Sequence, residues 1–390
     1  MNKNRIITIL IFLALFAGCS QPQKNVQSVI VADSQHETYY QDSTSLQEIA
    51  TDAMQLQKEK ATVSDEQNNN TLLTLPPQRF TQLQGEIQYS DELMLKSPSQ
   101  MIILMNHLLI NDYQNDSILY SISLDNTGDI KRLAPVGQGP FDFNRIRNMH
   151  SNGKELTIMD LSNSYFEIKD NEIALDEKSF IRRDKVQGVL ISPFGDGYVI
   201  NAINGNRMLA YLNTEGDTIS FFCEYPGDTL GIYDNRFFPI RKFYNFITSP
   251  NKKNLVVYGG YSDWLAFYTL TSDGIKKEKE YFSFETEFVI DMKAVPMQIG
   301  PNEKTTTTYK DLYATDSHLY ALYDGYLTKE TENIPHPTYI IQFSWRGDFQ
   351  KAYRIKENVT HIAVDEQRNC IYATYTAKGE DPILLRYDMY

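Results

Sequence analysis

Arginine and aromatic residues occur together in segments that lie between the predicted strands of this chain, and they are the residues best suited to chemistry. A guanidinium group holds carboxylates and stacks on aromatic rings, and arginine with aromatic residues is typical of recognition surfaces. We therefore predict a ligand-binding surface on these loops. Its candidate residues are Arg145, Arg147, Tyr233, Asp234, Arg236, Phe237, Arg241, Tyr261 and Asp263.

Motifs of known catalytic sites are missing from the sequence. There is no His-Glu-x-x-His metal motif, no Gly-x-Ser-x-Gly nucleophile turn, and no Ser-x-Asp-x-Gly-x-x-Thr-Trp turn of the sialidases. The segment Gly137-Gln138-Gly139-Pro140 could pass for a phosphate loop, but a proline followed by Phe141 suits a turn between blades better than the start of a helix. We predict no catalytic residue, no metal ligand and no cofactor.

A pair of strands that recurs six times must position these loops. The first strand of each pair begins at His107, Glu155, Gly197, Asn254, His318 or Cys370, at intervals of 42 to 64 residues, and an aromatic-rich strand follows it. Such spacing is typical of four-stranded propeller blades. We predict an all-β, six-bladed β-propeller of antiparallel blades over residues 79–390, with the repeated first strands as the inner strands.

The sixth blade lacks a fourth strand, because the chain ends at Tyr390 directly after its third. Residues 79–87 (RFTQLQGEI) have a strand pattern and no other predicted partner. An unpaired strand edge is a liability that closed sheets avoid. We expect this N-terminal strand to complete the last blade and close the ring.

The N-terminus has the pattern of a lipoprotein leader. Lys3 and Arg5 precede an apolar stretch of residues 6–17, which is too short to span a bilayer and matches a secretory signal. Phe16-Ala17-Gly18-Cys19 is similar to the lipobox in which the cysteine thiol is acylated after cleavage, although Phe16 replaces the usual leucine. An ordinary signal peptide cut nearby is the alternative. We predict a signal peptide over residues 1–18 and palmitate-type acylation of Cys19.

Residues 19–78 are rich in Gln, Asn, Ser and Asp and are predicted to be a polar tether. Ser45 and Glu48 have the spacing of a capping box, and apolar residues continue on one stripe to Met54, so a short helix is possible there. Ser20 after the cysteine is compatible with transport to the outer membrane, and no acidic run follows it. We expect a lipid-anchored protein on the periplasmic face rather than at the cell surface.

The charge of the chain restricts its partners. With 37 basic and 50 acidic residues, the net charge is −13, which repels phosphate backbones. We therefore expect no nucleic acid partner, contact with the membrane through the anchor alone, and a protein or glycan as the bound partner. Cys223 and Cys370 fall on opposite blades, too far apart for a disulfide, and are expected to be buried thiols.

The lipobox, the tether, the six blades and the segment Gly137-Gln138-Gly139-Pro140-Phe141-Asp142-Phe143 together resemble the TolB-like six-bladed propeller lipoproteins of the Bacteroidetes. The resemblance covers the mature chain and implies the fold, but it leaves the ligand open. Propeller lactonases hold Ca²⁺ in the central channel with Glu, Asn and Asp. A lactonase-like, metal-dependent hydrolase therefore stays the alternative to a non-catalytic binding protein.

Overall fold

The described part of the chain consists of β-strands, turns and loops. The computed structural model describes residues 80–88, 93–113, 117–125, 129–137, 143, 145–160, 165–169, 179–181, 190–201, 207–224, 244–282, 288–291, 298–302, 305–327 and 336–389. These residues contain 27 strands. They include no helix long and apolar enough to cross a membrane. The predicted signal peptide, acylation site, tether and short helix all lie outside them.

Six sheets of four or five strands follow one another along the chain, and each is one blade. Blades 1 to 3 contain β3 (Pro98–Leu104), β4 (His107–Asp112), β5 (Ser117–Ser123) and β6 (Ile130–Pro135); β7 (Ile146–Ser151), β8 (Glu155–Asp160), β9 (Tyr165–Lys169) and β10 (Ser179–Ile181); β11 (Ile191–Phe194), β12 (Gly197–Asn201), β13 (Leu209–Leu212) and β14 (Thr218–Phe222). Blades 4 to 6 contain β15 (Tyr244–Thr248), β16 (Asn254–Gly259), β17 (Trp264–Thr271) and β18 (Gly274–Phe282); β21 (Thr306–Ala314), β22 (His318–Leu327), β23 (Thr338–Ser344) and β24 (Phe349–Ile355); β25 (His361–Asp365), β26 (Cys370–Tyr375) and β27 (Ile383–Asp388).

The first strands of the six blades form a closed circle. β3 contacts β7, β7 contacts β11, and the contacts continue through β15, β21 and β25 back to β3. Successive strands within each blade are antiparallel and lead outwards from this circle. The predicted six-bladed propeller is therefore confirmed, with the six innermost strands around a central channel.

The repeated strands of the sequence are the second strands of the blades, and their prediction as inner strands was wrong. Each follows a less regular innermost strand, as β4 follows β3. The second strands β4 and β8 are buried over five successive residues, because neighbouring blades cover both of their faces. The innermost strands face the channel on one side and so include polar residues, which weakens their apolar pattern.

The N-terminal segment closes the ring as predicted, but it does so with two short strands on two blades instead of the single strand expected over residues 79–87. β2 (Gly85–Gln88) pairs antiparallel with β27 and becomes the fourth strand of blade 6, with Ile87 opposite Leu385. β1 (Phe80–Gln82) adds a fifth strand to blade 5 by pairing parallel with β24. Between the two strands, Leu83 is 2% exposed and joins the largest apolar cluster. One short segment therefore connects the outer edges of the last two blades.

Two connections between blades have structure of their own. The segment between blades 4 and 5 contains a separate hairpin of β19 (Phe288–Asp291) and β20 (Gln298–Pro301). Between blades 1 and 2, the N–H of Gly137 donates to the carbonyl oxygen of Phe143 at 3.3 Å, and the Phe143 side chain is fully buried. Gln138, Gly139 and Pro140 lie outside the described residues, so the turn predicted for the Gly-Gln-Gly-Pro segment stays a prediction.

The two remaining cysteines are free thiols, as expected. Cys223 follows the outer strand β14 of blade 3, and Cys370 begins β26 of blade 6; both are buried. Burial raises the pKa of the Cys223 thiol to about 12. The thiol therefore stays protonated at neutral pH and acts as a small apolar side chain.

Replacing Leu83 with alanine tests the closure. Because Leu83 is buried between β1 and β2, we expect Leu83→Ala to lower the free energy of unfolding by about 2 to 5 kcal/mol, measured by urea denaturation. The matched control is Ile87→Ala on β2, whose side chain is 60% exposed; a surface substitution of this kind changes stability by about 0.5 kcal/mol or less. Equal effects of the two variants would contradict closure through this segment.

Candidate functional site

The central channel opens into a cavity of about 590 Å³ at one end. Its walls come from β3, β7, β15, β21 and β25 and from the turns that lead from these strands to the second strands. We call this side of the molecule the turn face, and the opposite side, where each connection enters the next innermost strand, the crossover face. A concave site of this size is typical of ligand pockets.

Two buried polar side chains cross the channel at this cavity. The Tyr313 hydroxyl of blade 5 accepts a hydrogen bond from the N–H of Ile103 in blade 1 at 3.1 Å. The His150 ring of blade 2 contacts the carbonyl oxygen of Ser249, after β15 of blade 4, through Nε2 at 3.3 Å. Each bond skips one blade, so the two side chains connect blades that are not neighbours.

The protonation state of His150 follows from its surroundings. Burial lowers the pKa of His150 from 6.5 to about 4, and the positive charge of Lys252 acts in the same direction. The ring is therefore neutral at pH 7. Because Nε2 faces a carbonyl oxygen, that nitrogen carries the hydrogen and Nδ1 is left as an acceptor. Burial also raises the pKa of Tyr313, so its hydroxyl stays protonated.

Four carboxylates stand around the cavity, and three of them are held by neighbouring donors. Asp311 accepts from the backbone N–H groups of Leu312 and Ile362 at 3.0 and 2.9 Å. Glu366 Oε1 accepts from Thr315 Oγ1 at 3.0 Å and lies 2.7 Å from His318 Nδ1. These bonds fix Asp311 and Glu366 without adding a permanent positive charge, whereas the third carboxylate, Asp365, is held by a guanidinium.

Arg368 is the arginine that lines the cavity, and its guanidinium is bound to side chains of two blades. Its Nη1 binds Asp365 of its own blade at 2.7 Å, and its Nη2 binds Asp125 of blade 1 at 2.7 Å and also Asn106 of that blade. These partners raise the pKa of Arg368, with the Asp365 hydrogen bond as the main cause. The side chain thus joins blades 6 and 1 next to the closure.

Side chains at the ends of the second strands hold the crossover face together. Asp112 accepts from the N–H groups of Lys96 and Ser97 at 2.8 and 2.5 Å, and Asp160 accepts from the N–H of Arg145 at 2.7 Å. Asn201 accepts from the N–H of Leu190 at 3.0 Å. In blades 1 to 3, therefore, the second strand anchors the start of the innermost strand.

Blade 5 has a charged version of this arrangement. The buried Asp324 lies 2.7 Å from His336 Nε2 and 3.2 Å from Lys310 Nζ. Burial lowers the pKa of Lys310, although Asp324 opposes the shift. The His336 ring also packs on Tyr326, with 4.3 Å between ring centroids. These side chains are largely buried, and the cluster holds the residues around β21 and β22 in place.

The predicted ligand-binding residues that the structure describes lie toward the crossover face, away from the cavity. The guanidinium of Arg145 stacks on the Tyr113 ring at 4.7 Å. Asp263 is 1% exposed and accepts from the Tyr309 hydroxyl at 2.9 Å. Arg147 and Tyr261 are half-buried. The others, Tyr233, Asp234, Arg236, Phe237 and Arg241, are outside the described residues, so the predicted surface stays a prediction.

The sequence prediction missed the cavity residues His150, Tyr313, Asp311 and Glu366. All four lie on innermost strands or on the turns after them, where the sequence has no clear repeat. Polar residues within these strands, such as His150 in β7, were the available signal. In the described part of the chain, no group of three or more His, Cys, Asp or Glu side chains is placed to hold a metal ion.

The comparisons with known proteins assign the family. The model of the TolB-like 6-blade propeller-like family matches residues 79–367. The chain belongs to this family. The match covers the described blades up to β25 in the sixth and agrees with the resemblance that the sequence suggested. A comparison with curated protein sequences finds no match.

Three solved structures are similar to this chain at low sequence identity. A protein of Bacteroides fragilis that its name describes as exported is 14% identical, with a TM-score of 0.48, covering 79% of this chain and 95% of that one. The Cps50 β-propeller domain of Myceliophteria thermophila is 11% identical, with a TM-score of 0.42 and coverage of 74% and 82%. A luciferin-regenerating enzyme is 8% identical, with a TM-score of 0.44 and coverage of 78% and 95%.

The buried neutral state of His150 predicts a dependence of stability on pH. The folded pKa is about 4 and the ordinary value is 6.5, so the unfolded chain binds the proton more readily. The stabilisation is complete above pH 6.5 and is lost as the pH falls towards 4. His150→Gln keeps a hydrogen-bond donor for the Ser249 carbonyl and removes the ring whose protonation causes this loss of stability. Relative to the variant, we expect wild type to lose about 3 kcal/mol over this range.

Urea denaturation of both proteins at a series of pH values measures this difference. The carboxylates titrate equally in wild type and variant and cancel in the comparison. If the stability curves of the two proteins run parallel between pH 7 and pH 4, the His150 ring is not held neutral by burial.

Proposed function

We propose that the protein is a non-catalytic envelope lipoprotein that binds a protein or glycan partner. Acylated Cys19 anchors it to the outer membrane, the polar residues 19–78 act as a tether, and the propeller faces the periplasm. The leader pattern and the absence of an acidic run after the cysteine support this placement. The membership in the TolB-like family supports a propeller with a binding role, because its rigid blades present loops and turns to other molecules.

The single observation that carries the binding role is the cavity on the turn face. It is open to solvent, and its walls come from five of the six innermost strands. Its side chains are held in place by bonds to neighbouring blades, as for Asp311 and Glu366. A site that is fixed before binding loses little conformational entropy when the partner arrives. The turn face is therefore where we place the partner, and the predicted residues of the crossover face are proposed as a second contact.

Replacing Cys19 tests the anchor. Without the thiol no acyl chain can be attached, so we expect Cys19→Ala to lose incorporation of radiolabelled palmitate and to appear in the soluble periplasmic fraction. Cys223→Ala is the matched control: it removes a cysteine that is buried in the propeller, and it should keep the label and the membrane fraction. Palmitate incorporation into Cys19→Ala would contradict the proposed anchor.

A photo-crosslinking amino acid tests the binding face in cells. Ser317 is exposed at the edge of the cavity, and a photoreactive residue there should give one discrete crosslinked product. The control position is Lys276, which is exposed on the outer strand β18. A product of the same size and yield from both positions, or no product from Ser317, would contradict a partner on the turn face.

A further inference from the structure

The bottom of the turn-face cavity has hydrogen-bonding capacity that the protein itself does not use. His150 and Tyr313 line the cavity and are only 7% and 8% exposed. The Nδ1 atom of His150 has no hydrogen-bond partner among the described residues, whereas its Nε2 contacts Ser249. Tyr313 accepts one N–H, from Ile103, and a phenolic oxygen can accept another. The Nδ1 atom of His150 therefore offers a hydrogen-bond acceptor to a ligand in the cavity, and the Tyr313 hydroxyl beside it can both accept and donate.

The charges around the cavity favour a cationic ligand. Four carboxylates, Asp311, Asp316, Asp365 and Glu366, line it together with one guanidinium, that of Arg368. Arg368 is bound to Asp365 and Asp125, so it has little capacity left for an anion. His150 adds no charge, because its neutral form prevails at pH 7. Arg368 offsets one of the four carboxylates, so the lining keeps an excess of negative charge, and such a cleft concentrates its field at the opening.

Asp316 is the carboxylate best placed to meet a ligand directly. It is exposed on the turn between β21 and β22 and makes no hydrogen bond or ion pair with another described residue. The other three carboxylates are held by neighbours and contribute mainly through their charge. The volume of about 590 Å³ is that of a pocket for an organic group and its flanking atoms.

We propose that this cavity binds a ligand that carries an ammonium or guanidinium group, with Asp316 contacting that group at the opening and Nδ1 of His150 accepting a hydrogen bond from the ligand at the bottom. The inference rests on the proposed binding function and adds the chemistry that the partner must present. The positive group belongs either to a lysine or arginine side chain of a partner protein or to a free amine, and both sources supply the same N–H donors.

Calorimetric titration of the detergent-solubilised full-length lipoprotein tests the chemistry. The probes are blocked tripeptides with lysine, arginine, glutamine or glutamate between two glycines, together with butylamine and calcium chloride. We expect the lysine and arginine peptides to bind at least about tenfold more tightly than the glutamine peptide. Butylamine binding as tightly as the lysine peptide identifies a free amine as the source, and tighter binding of the peptide identifies a partner side chain.

Two variants with the same charge change separate a specific contact from general attraction. Asp316→Asn removes the free carboxylate at the cavity. We expect it to lower the affinity for the lysine peptide by about fivefold, which corresponds to the loss of one close charge pair in water. Asp273→Asn changes an exposed aspartate on the turn before β18, outside the cavity lining, and should change the affinity less than about twofold. In wild type, the ring signals of His150 should shift on addition of the lysine peptide.

Several outcomes would overturn the proposal. These are equal binding of neutral, acidic and basic peptides, no binding of any probe, equal effects of Asp316→Asn and Asp273→Asn, and calcium that binds tightly and displaces the lysine peptide. If one of them occurs while the Ser317 crosslink persists, the binding function stands and the cationic ligand is wrong. If the crosslink is also absent, the proposed function itself fails.

Discussion

The pairing of β2 with β27 is the constraint on which the rest of the structure depends. The last blade has only three strands of its own, so without this pairing β27 would be an open edge. The same segment continues from β1 on blade 5, and Leu83 between them is buried in the apolar cluster that spans blades 5, 6 and 1. Arg368 adds a polar link from blade 6 to blade 1. Closure thus joins the first described strands of the propeller to its last blade.

A closed ring explains the distribution of apolar and polar residues. Each second strand lies between two neighbouring blades and is buried on both faces, as in β4 and β8. Each innermost strand has one side toward the channel, where side chains of different blades meet. There the backbone of one blade bonds to side chains of another, as Ile362 does with Asp311. Polar and apolar side chains therefore share the channel, and its shape depends on the relative positions of all six blades.

The contacts of the crossover face join residues that are close in the sequence, whereas those of the turn-face cavity join distant ones. This difference decides how far each set of contacts could be predicted. Strand-end residues such as Asp112 and Asp160 stand at fixed places in the repeat, and their role in holding the next innermost strand is local. His150 and Tyr313 act across the channel, with bonds between residues 99 and 210 positions apart in the sequence. No local pattern contains such a bond. Their meeting at one cavity is a consequence of ring size and blade order.

The sequence alone determined the number of blades and the need for an N-terminal strand to complete the sixth. These features follow from alternation, turn residues and a missing strand, all of which are local or countable. It also specified two buried thiols that do not pair. Only the tertiary structure decided which strands line the channel, which face carries the cavity, and that His150 is neutral. Burial and cross-channel contacts set these properties, and both depend on blades that are distant in the chain.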